Sequence, residues 1–405
     1  MTHRKWAKFL FLAAPLLVGF ASGCGNFWQA PSSGTTTSCT SNCTTASAGN
    51  FYILDGGSSP GIIGDSIVSG TLTAISGSPW LLQGLPYSMA IDPAGNFLMV
   101  STTSGVWSFP ITNGELGTAV QVTSDATAEA IQVDATSSWL LEAMPGTGGF
   151  TLGAVPIDTI TGAGNGTEQT VSYAVTNAAL QTNQMALSGD NLNLFVALGS
   201  GGTAVVSFTS GVATGNNPLA AKGAIIPVVS TSGSALSIAV DPGTTPRLFY
   251  VGETLASGGT QGGLRVFNYS SLSTTTLTQA TGSPIASGGL APTFILPLST
   301  GTYAGEYVYV ANGQGTSAGN IAGFTITAST AATPTYTIAT DTTTATGEQP
   351  LGLAQDSTGT FVLEVGSAGS PYFDAFTFDS TSLGKLDSEL TATTASNSIA
   401  IVAAP

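Results

Sequence analysis

Three glutamates end runs that are otherwise apolar. Glu142 follows Trp139-Leu140-Leu141, Glu364 follows Phe361-Val362-Leu363, and Glu253 follows Leu248-Phe249-Tyr250-Val251-Gly252. When the runs are aligned, Glu142 and Glu364 share one position. Glu253 lies two residues further on, level with Asn312 behind Tyr307-Val308-Tyr309-Val310-Ala311. Period-two geometry puts all four on corresponding strand faces. If those strand ends surround a channel opening, two carboxylates sharing a site, one with a raised pKa, would activate water. The competing reading is that each glutamate caps a strand end or meets solvent. Asn312, Arg265 and Arg247 are the candidate binding groups beside this catalytic set.

Other chemistries find little material. Gly57-Ser58-Ser59-Pro60-Gly61 and Gly315-Thr316-Ser317-Ala318-Gly319 match a nucleophile elbow, but no helical pattern follows either, and His3 is the one histidine. The glycine runs at 162–166 and 199–202 open no helix, so neither offers a helix N-terminus to an anion. There is no Asp-x-Asp-x-Asp-Gly loop for calcium, and Cys39 and Cys43 have no histidine beside them. The sequence therefore implies no metal site and no cofactor. Trp80, Tyr87, Trp107, Trp139 and Tyr372 are of the type that stacks on sugar rings, although Trp107 and Trp139 read better as wedges between packed sheets.

Charge narrows the partners. Only 7% of the 405 residues are charged. Arg4, Lys5 and Lys8 precede every acidic residue, and beyond them four cations (Lys222, Arg247, Arg265, Lys385) face 22 acids, giving 4 − 22 = −18. Nucleic acid is excluded as a partner, because its affinity depends on cations that neutralise phosphates.

The elements that must position these residues are strands. Ser88-Met89-Ala90-Ile91-Asp92-Pro93-Ala94-Gly95-Asn96-Phe97-Leu98-Met99-Val100 reads as a strand, a tight turn and a second strand. The phrase returns at 130–141, 185–196, 237–251, 294–310 and 351–363. Ser398-Ile399-Ala400-Ile401-Val402 is a first strand with no second, and Phe51-Tyr52-Ile53-Leu54 a second with no first. One unit is thus divided between the ends. The pattern predicts an all-β, seven-bladed β-propeller with four-stranded antiparallel blades, its ring closed by pairing of the N- and C-terminal strands. Two stacked sandwich domains are the alternative, but they leave the divided unit unexplained.

Residues 1–23 read as a signal peptide, with a basic start, an apolar stretch from Phe9 to Phe20 and small residues before Cys24. The tetrad Ala21-Ser22-Gly23-Cys24 resembles the bacterial lipobox, which implies lipidation at Cys24 and attachment to a membrane. Residues 24–49 form a Ser/Thr-rich tether, and the propeller occupies 50–405. The expected location is the cell envelope, at the outer membrane or cell surface, and the expected state is a monomer.

The phrases Gly70-Thr71-Leu72-Thr73-Ala74-Ile75-Ser76-Gly77-Ser78-Pro79, Leu277-Thr278-Gln279-Ala280-Thr281-Gly282-Ser283-Pro284 and Tyr307-Val308-Tyr309-Val310-Ala311-Asn312 resemble the repeats of lactonase-like propellers. That family includes the propeller-type 6-phosphogluconolactonases and surface proteins with Tyr-Val-Thr-Asn repeats. The resemblance implies the fold over nearly all of 51–405, and opening of a sugar lactone by water as one activity. A phosphorylated substrate favours a cationic pocket, which four cations and no mature histidine supply poorly. The sequence expectation is accordingly a binding module for a glycan, peptide or protein partner, with a carboxylate-assisted lactone hydrolase as the alternative.

Overall fold

A computed structural model describes residues 48–405 apart from 176–179, 214, 243–247, 270–276, 315–316, 330–335, 347, 370–371, 383 and 393–396. All regular structure among the described residues is β, arranged as seven antiparallel sheets. Each recurrent Asp turn works locally as its sequence suggests. Asp92 Oδ1 accepts the Phe97 amide at 2.9 Å, Asp134 Oδ1 the Trp139 amide at 2.7 Å, and Asp356 Oδ1 the Phe361 amide at 2.5 Å. The turn needs a left-handed residue three places after the Asp, supplied by Gly95 (φ 70°) and Gly359 (φ 71°). Ser137 (φ 54°), and Asn191 (φ 59°) in the turn where Ser188 replaces the Asp, accept that backbone and use the side chain a glycine lacks. Each donates to the Asp of the preceding turn, Ser137 Oγ to Asp92 Oδ2 at 3.1 Å and Asn191 Nδ2 to Asp134 Oδ2 at 3.5 Å.

Blade 1 is the divided one. Its strands are Ser398–Ala403, Ala48–Asp55, Gly61–Val68 and Thr71–Ala74. The two ends of the chain pair antiparallel, with Phe51 opposite Ala403, Ile53 opposite Ile401 and Leu54 opposite Ala400. Blade 2 runs Pro86–Ile91, Phe97–Thr102, Gly105–Thr112 and Val120–Thr123. Blade 3 runs Ala130–Val133, Trp139–Gly146, Gly149–Pro156 and Gln169–Ala174. Blade 4 comprises Gln184–Leu187, Asn193–Ala197, Thr203–Phe208 and Leu219–Ile226. Blade 5 begins Ala235–Val240, Leu248–Ser257 and Gln261–Asn268. Its outer edge is broken into Thr278–Gln279 and Ile285–Ala286. Blade 6 holds Ala291–Pro297, Tyr307–Gln314, Ser317–Ala328 and Tyr336–Ala345. Blade 7 holds Glu348–Gln355, Phe361–Gly369, Phe373–Phe378 and Leu386–Ala392. The seven first strands touch their neighbours in an unbroken cycle, which closes the ring. The seven-bladed propeller read from the sequence is the observed fold.

The core is divided as the ring requires. Seven apolar clusters fill the seven gaps between successive blades. Alternation along a strand decides which gap each residue fills. Phe195 packs with Phe249 in the gap between blades 4 and 5, while its neighbours Leu194 and Val196 face blade 3. Trp139 is a wedge, 3% exposed between blades 3 and 4, its indole N–H donating to the Ser210 carbonyl at 3.1 Å. The Gly-Ser-Pro phrases have a structural task too. Ser78 Oγ accepts the Gly64 amide at 3.0 Å and Ser283 Oγ the Val266 amide at 2.9 Å, serving third-strand donors where the outer edge is interrupted.

Candidate functional site

Glu142, Glu253, Glu364 and Asn312 lie on the second strands of blades 3, 5, 7 and 6, and each is 0% exposed. They do occupy corresponding faces, each aimed at the preceding blade alongside Leu140, Phe249, Val362 and Val308. They do not ring a channel opening. The sheets stand radially, so a side chain on a sheet face points into the gap between blades, and only the edges of first strands face the axis. Glu142 and Glu364 are kept apart by blades 1 and 2 on one side and blades 4 to 6 on the other.

What most of these positions meet is the connection arriving from the previous blade. Glu253 accepts the Val229 amide on Oε2 at 2.9 Å and pairs through Oε1 with Arg265 at 2.5 Å. The same guanidinium donates to the Pro227 carbonyl at 2.8 Å and lies 4.9 Å from the centre of the Phe267 ring. Asn312 Nδ2 donates to the Ser287 carbonyl at 2.7 Å and to Asn320 Oδ1 at 3.1 Å. Thr102, at the matching position of blade 2, donates to the Gln83 carbonyl at 2.9 Å. These are clasps: a connection dipping between sheets carries polar groups that need partners once water is gone. Of the candidate binding groups, Arg265 therefore joins Glu253 and Asn312 serves blade 6 on its own. Arg247, Cys24, Cys39, Cys43 and all of 1–47 lie outside the described residues. Gly57–Gly61 lies at the hairpin between two strands of blade 1, with Ser58 and Ser59 exposed, and Gly315 and Thr316 are again outside.

Glu142 differs from the other clasps. Thr123 Oγ1 donates to its Oε1 at 3.1 Å, but its Oε2 is buried with no hydrogen-bond partner. Around it gather Asp125, on the connection from blade 2, and Glu168, just before the outer strand of blade 3. One carboxylate oxygen from each of the three lies within 4.8 Å of the others. Glu168 Oε1 is also buried without a partner. Gly153, directly opposite Glu142 in the sheet, makes the arrangement possible, because a Cβ there would fall on Glu168 Oε1. Burial pushes the Glu142 carboxyl up to about 9, with the charges of Glu168 and Asp125 adding to it. Burial raises Glu168 as well, helped by Asp125. Two unit charges 4.8 Å apart repel by about 3.5 kcal/mol at an effective dielectric constant of about 20, so three carboxylates here require protons or a counter-cation.

Glu364 has its own acidic neighbour. Asp374 stands directly opposite it on the third strand of blade 7, 5% exposed, with the Ser388 hydroxyl 3.4 Å from Oδ1. Burial holds the Asp374 carboxyl up to about 7. Two carboxylate groupings therefore exist among the described residues, but with members other than the Glu142–Glu364 pair read from the repeat. Asp125 and Glu168 carry no sequence signal, since one sits in a connection and the other outside the repeated phrase. Asp374 was legible only through hairpin register.

Known structures share this architecture. A protein of Bacteroides fragilis provisionally assigned as a 6-phosphogluconolactonase superposes with a TM-score of 0.66 at 14% identity, over 89% of this chain and 99% of its own. The periplasmic gluconolactonase of Pseudomonas aeruginosa gives 0.63 at 17% identity, over 88% and 99%. No protein-family model and no curated protein matches the chain. At such identities the likeness is one of fold: a seven-bladed propeller resembling those of gluconolactonases.

Proposed function

We propose that this chain is a ligand-binding propeller of the cell envelope, held to a membrane through lipid on Cys24, and that it binds a glycan, peptide or protein without turning it over. The observation that carries this reading is the burial of the candidate catalytic groups. Glu142, Glu253 and Glu364 are 0% exposed and sit between blades, where no surface is open for a sugar lactone to rest on them. Binding falls instead to the end of the ring where connections cross from one blade to the next. There Leu85, Val229 and Leu290 are 58%, 49% and 51% exposed, and Tyr87, two residues after Leu85, is 40% exposed. Exposed apolar groups on loops carried by a rigid scaffold are a common basis for recognition.

The test is titration of the full-length protein against arrays of envelope glycans and peptides. Saturable binding that Leu85→Asp and Leu290→Asp abolish supports the reading. Turnover of glucono-1,5-lactone with saturation kinetics, and no binding on the arrays, overturns it. Lactone hydrolysis is the second reading, favoured by the two gluconolactonase-like neighbours that this fold matches over 99% of their length. If turnover is found, equal rates in the wild type and a Glu142→Gln, Glu364→Gln double variant remove both glutamates from the mechanism. Attachment is tested separately: Cys24→Ala is expected to release the protein from membranes and to abolish incorporation of labelled fatty acid.

A further inference from the structure

We propose that Asp125, Glu142 and Glu168 together hold a hard divalent cation, calcium in preference to magnesium, in the gap between blades 2 and 3. Three carboxylate oxygens from separate segments converge within 4.8 Å of one another. Glu142 supplies the observation that makes this more than an acidic cluster. Its side chain is 0% exposed and directed into the group, and its Oε2 has no donor. The Glu168 oxygen is in the same condition. A buried acceptor without a donor carries an uncompensated desolvation cost, larger when it is charged, and a cation removes that cost for both oxygens at once.

The protein's own cations do not fill this role among the described side chains. Arg265 is taken by Glu253, and Lys385 by Asp379 and Asp387 on the far blade 7. An all-carboxylate donor set selects hard cations over those that prefer nitrogen or sulfur. Ca²⁺ binds oxygen at about 2.3–2.6 Å and accepts roughly six to eight ligands in flexible arrangements. Mg²⁺, at about 2.0–2.1 Å, insists on a near-ideal octahedron and gives up its waters reluctantly. Three carboxylates brought together from separate segments suit the ion that tolerates an irregular shell. The chain also makes room for it, because the missing Cβ of Gly153 leaves the space that the Glu168 carboxylate fills. The bound ion would tie the connection carrying Asp125 to the second and outer strands of blade 3. It would thus complete at this junction the clasp that Arg265 and Glu253 make at blade 5.

The experiment uses full-length protein stripped with chelator, followed by calorimetric titration with CaCl₂ and by thermal melting. One Ca²⁺ per chain is expected. At a hundredfold excess over Kd the melting temperature is expected to rise by roughly 3–4 °C for a ring of this size. Glu168→Gln and Gly153→Ala are each expected to abolish binding and the shift, while melting in chelator at or above the wild-type temperature. Glu168→Gln removes a ligand charge, and Gly153→Ala displaces the same carboxylate without changing it. Absence of binding at about 10 mM Ca²⁺, above the range of even weak extracellular calcium modules, overturns the proposal. So does binding that survives in both variants, or a shift produced by Mg²⁺ and not by Ca²⁺.

Discussion

Replacing Arg265 by methionine keeps most of its apolar stem and removes its charge. The Glu253 carboxylate would then stay 0% exposed with the Val229 amide as its one remaining donor in the clasp, and the Pro227 carbonyl would lose its partner. Removing one member of a buried ion pair costs about 3–5 kcal/mol, because the survivor keeps its desolvation penalty. Unfolding entropy of about 2.1 cal/mol/K per residue gives roughly 0.75 kcal/mol/K over residues 48–405, so a loss of about 4 kcal/mol lowers the melting temperature by about 5 °C. Calorimetry on the wild type, Arg265→Met, Glu253→Gln and the double variant measures this directly. The double variant should recover most of the loss, since the neutral carboxamide introduced by Glu253→Gln still accepts the Val229 amide and carries no charge into the gap. If Arg265→Met melts within about 1 °C of the wild type, or the two single losses simply add, the clasp reading is refuted.

Other outcomes follow from the same geometry. Asp374 is raised from 3.8 to about 7 by burial, so between about pH 4 and pH 7 the folded state binds more protons than the unfolded chain. Its contribution to stability is complete below about pH 4 and is lost as pH rises through 7, on the order of 4 kcal/mol for a shift of about three units. Asp374→Asn should flatten that part of the stability profile in urea titrations, and an unchanged slope would count against it. Deleting residues 398–405 uncovers Phe51 and Ile53, both 0% exposed, and should replace a sharp melt by early, broad unfolding with rapid proteolysis. Trp139→Ala should cost about 3–5 kcal/mol in chemical denaturation through the cavity it leaves between blades 3 and 4.

The ring was legible because its signals are local and repeated. An Asp turn between two apolar strands recurs, and the orphan strands at 51–54 and 398–402 can only complete each other. The faces of Glu142, Glu253, Glu364 and Asn312 followed from alternation alone. Their surroundings did not. Alignment of repeats places equivalent residues on different blades, so a shared column in the alignment means separation in space. Glu142 meets Asp125 and Glu168 through a connection and a strand start that vary from blade to blade, with no fixed spacing to reveal them. The Glu253–Arg265 pair was closer to hand: Gly263 opposes Glu253, and Arg265 lies two residues on, on the same face of the hairpin. Hairpin register, more than repeat alignment, is the arithmetic that finds partners in such a chain.

The divided blade also sets a timetable. Asp55 accepts a hydrogen bond from the Asn397 amide, 342 positions later. A ribosome delivers the first of these residues long before the second, so blade 1 waits as an incomplete sheet while six others are made. A nascent chain therefore cannot lock its circle early. The same delay makes synthesis all or nothing. A chain released a few dozen residues short is left as an open fan, with no smaller circle to fall back on.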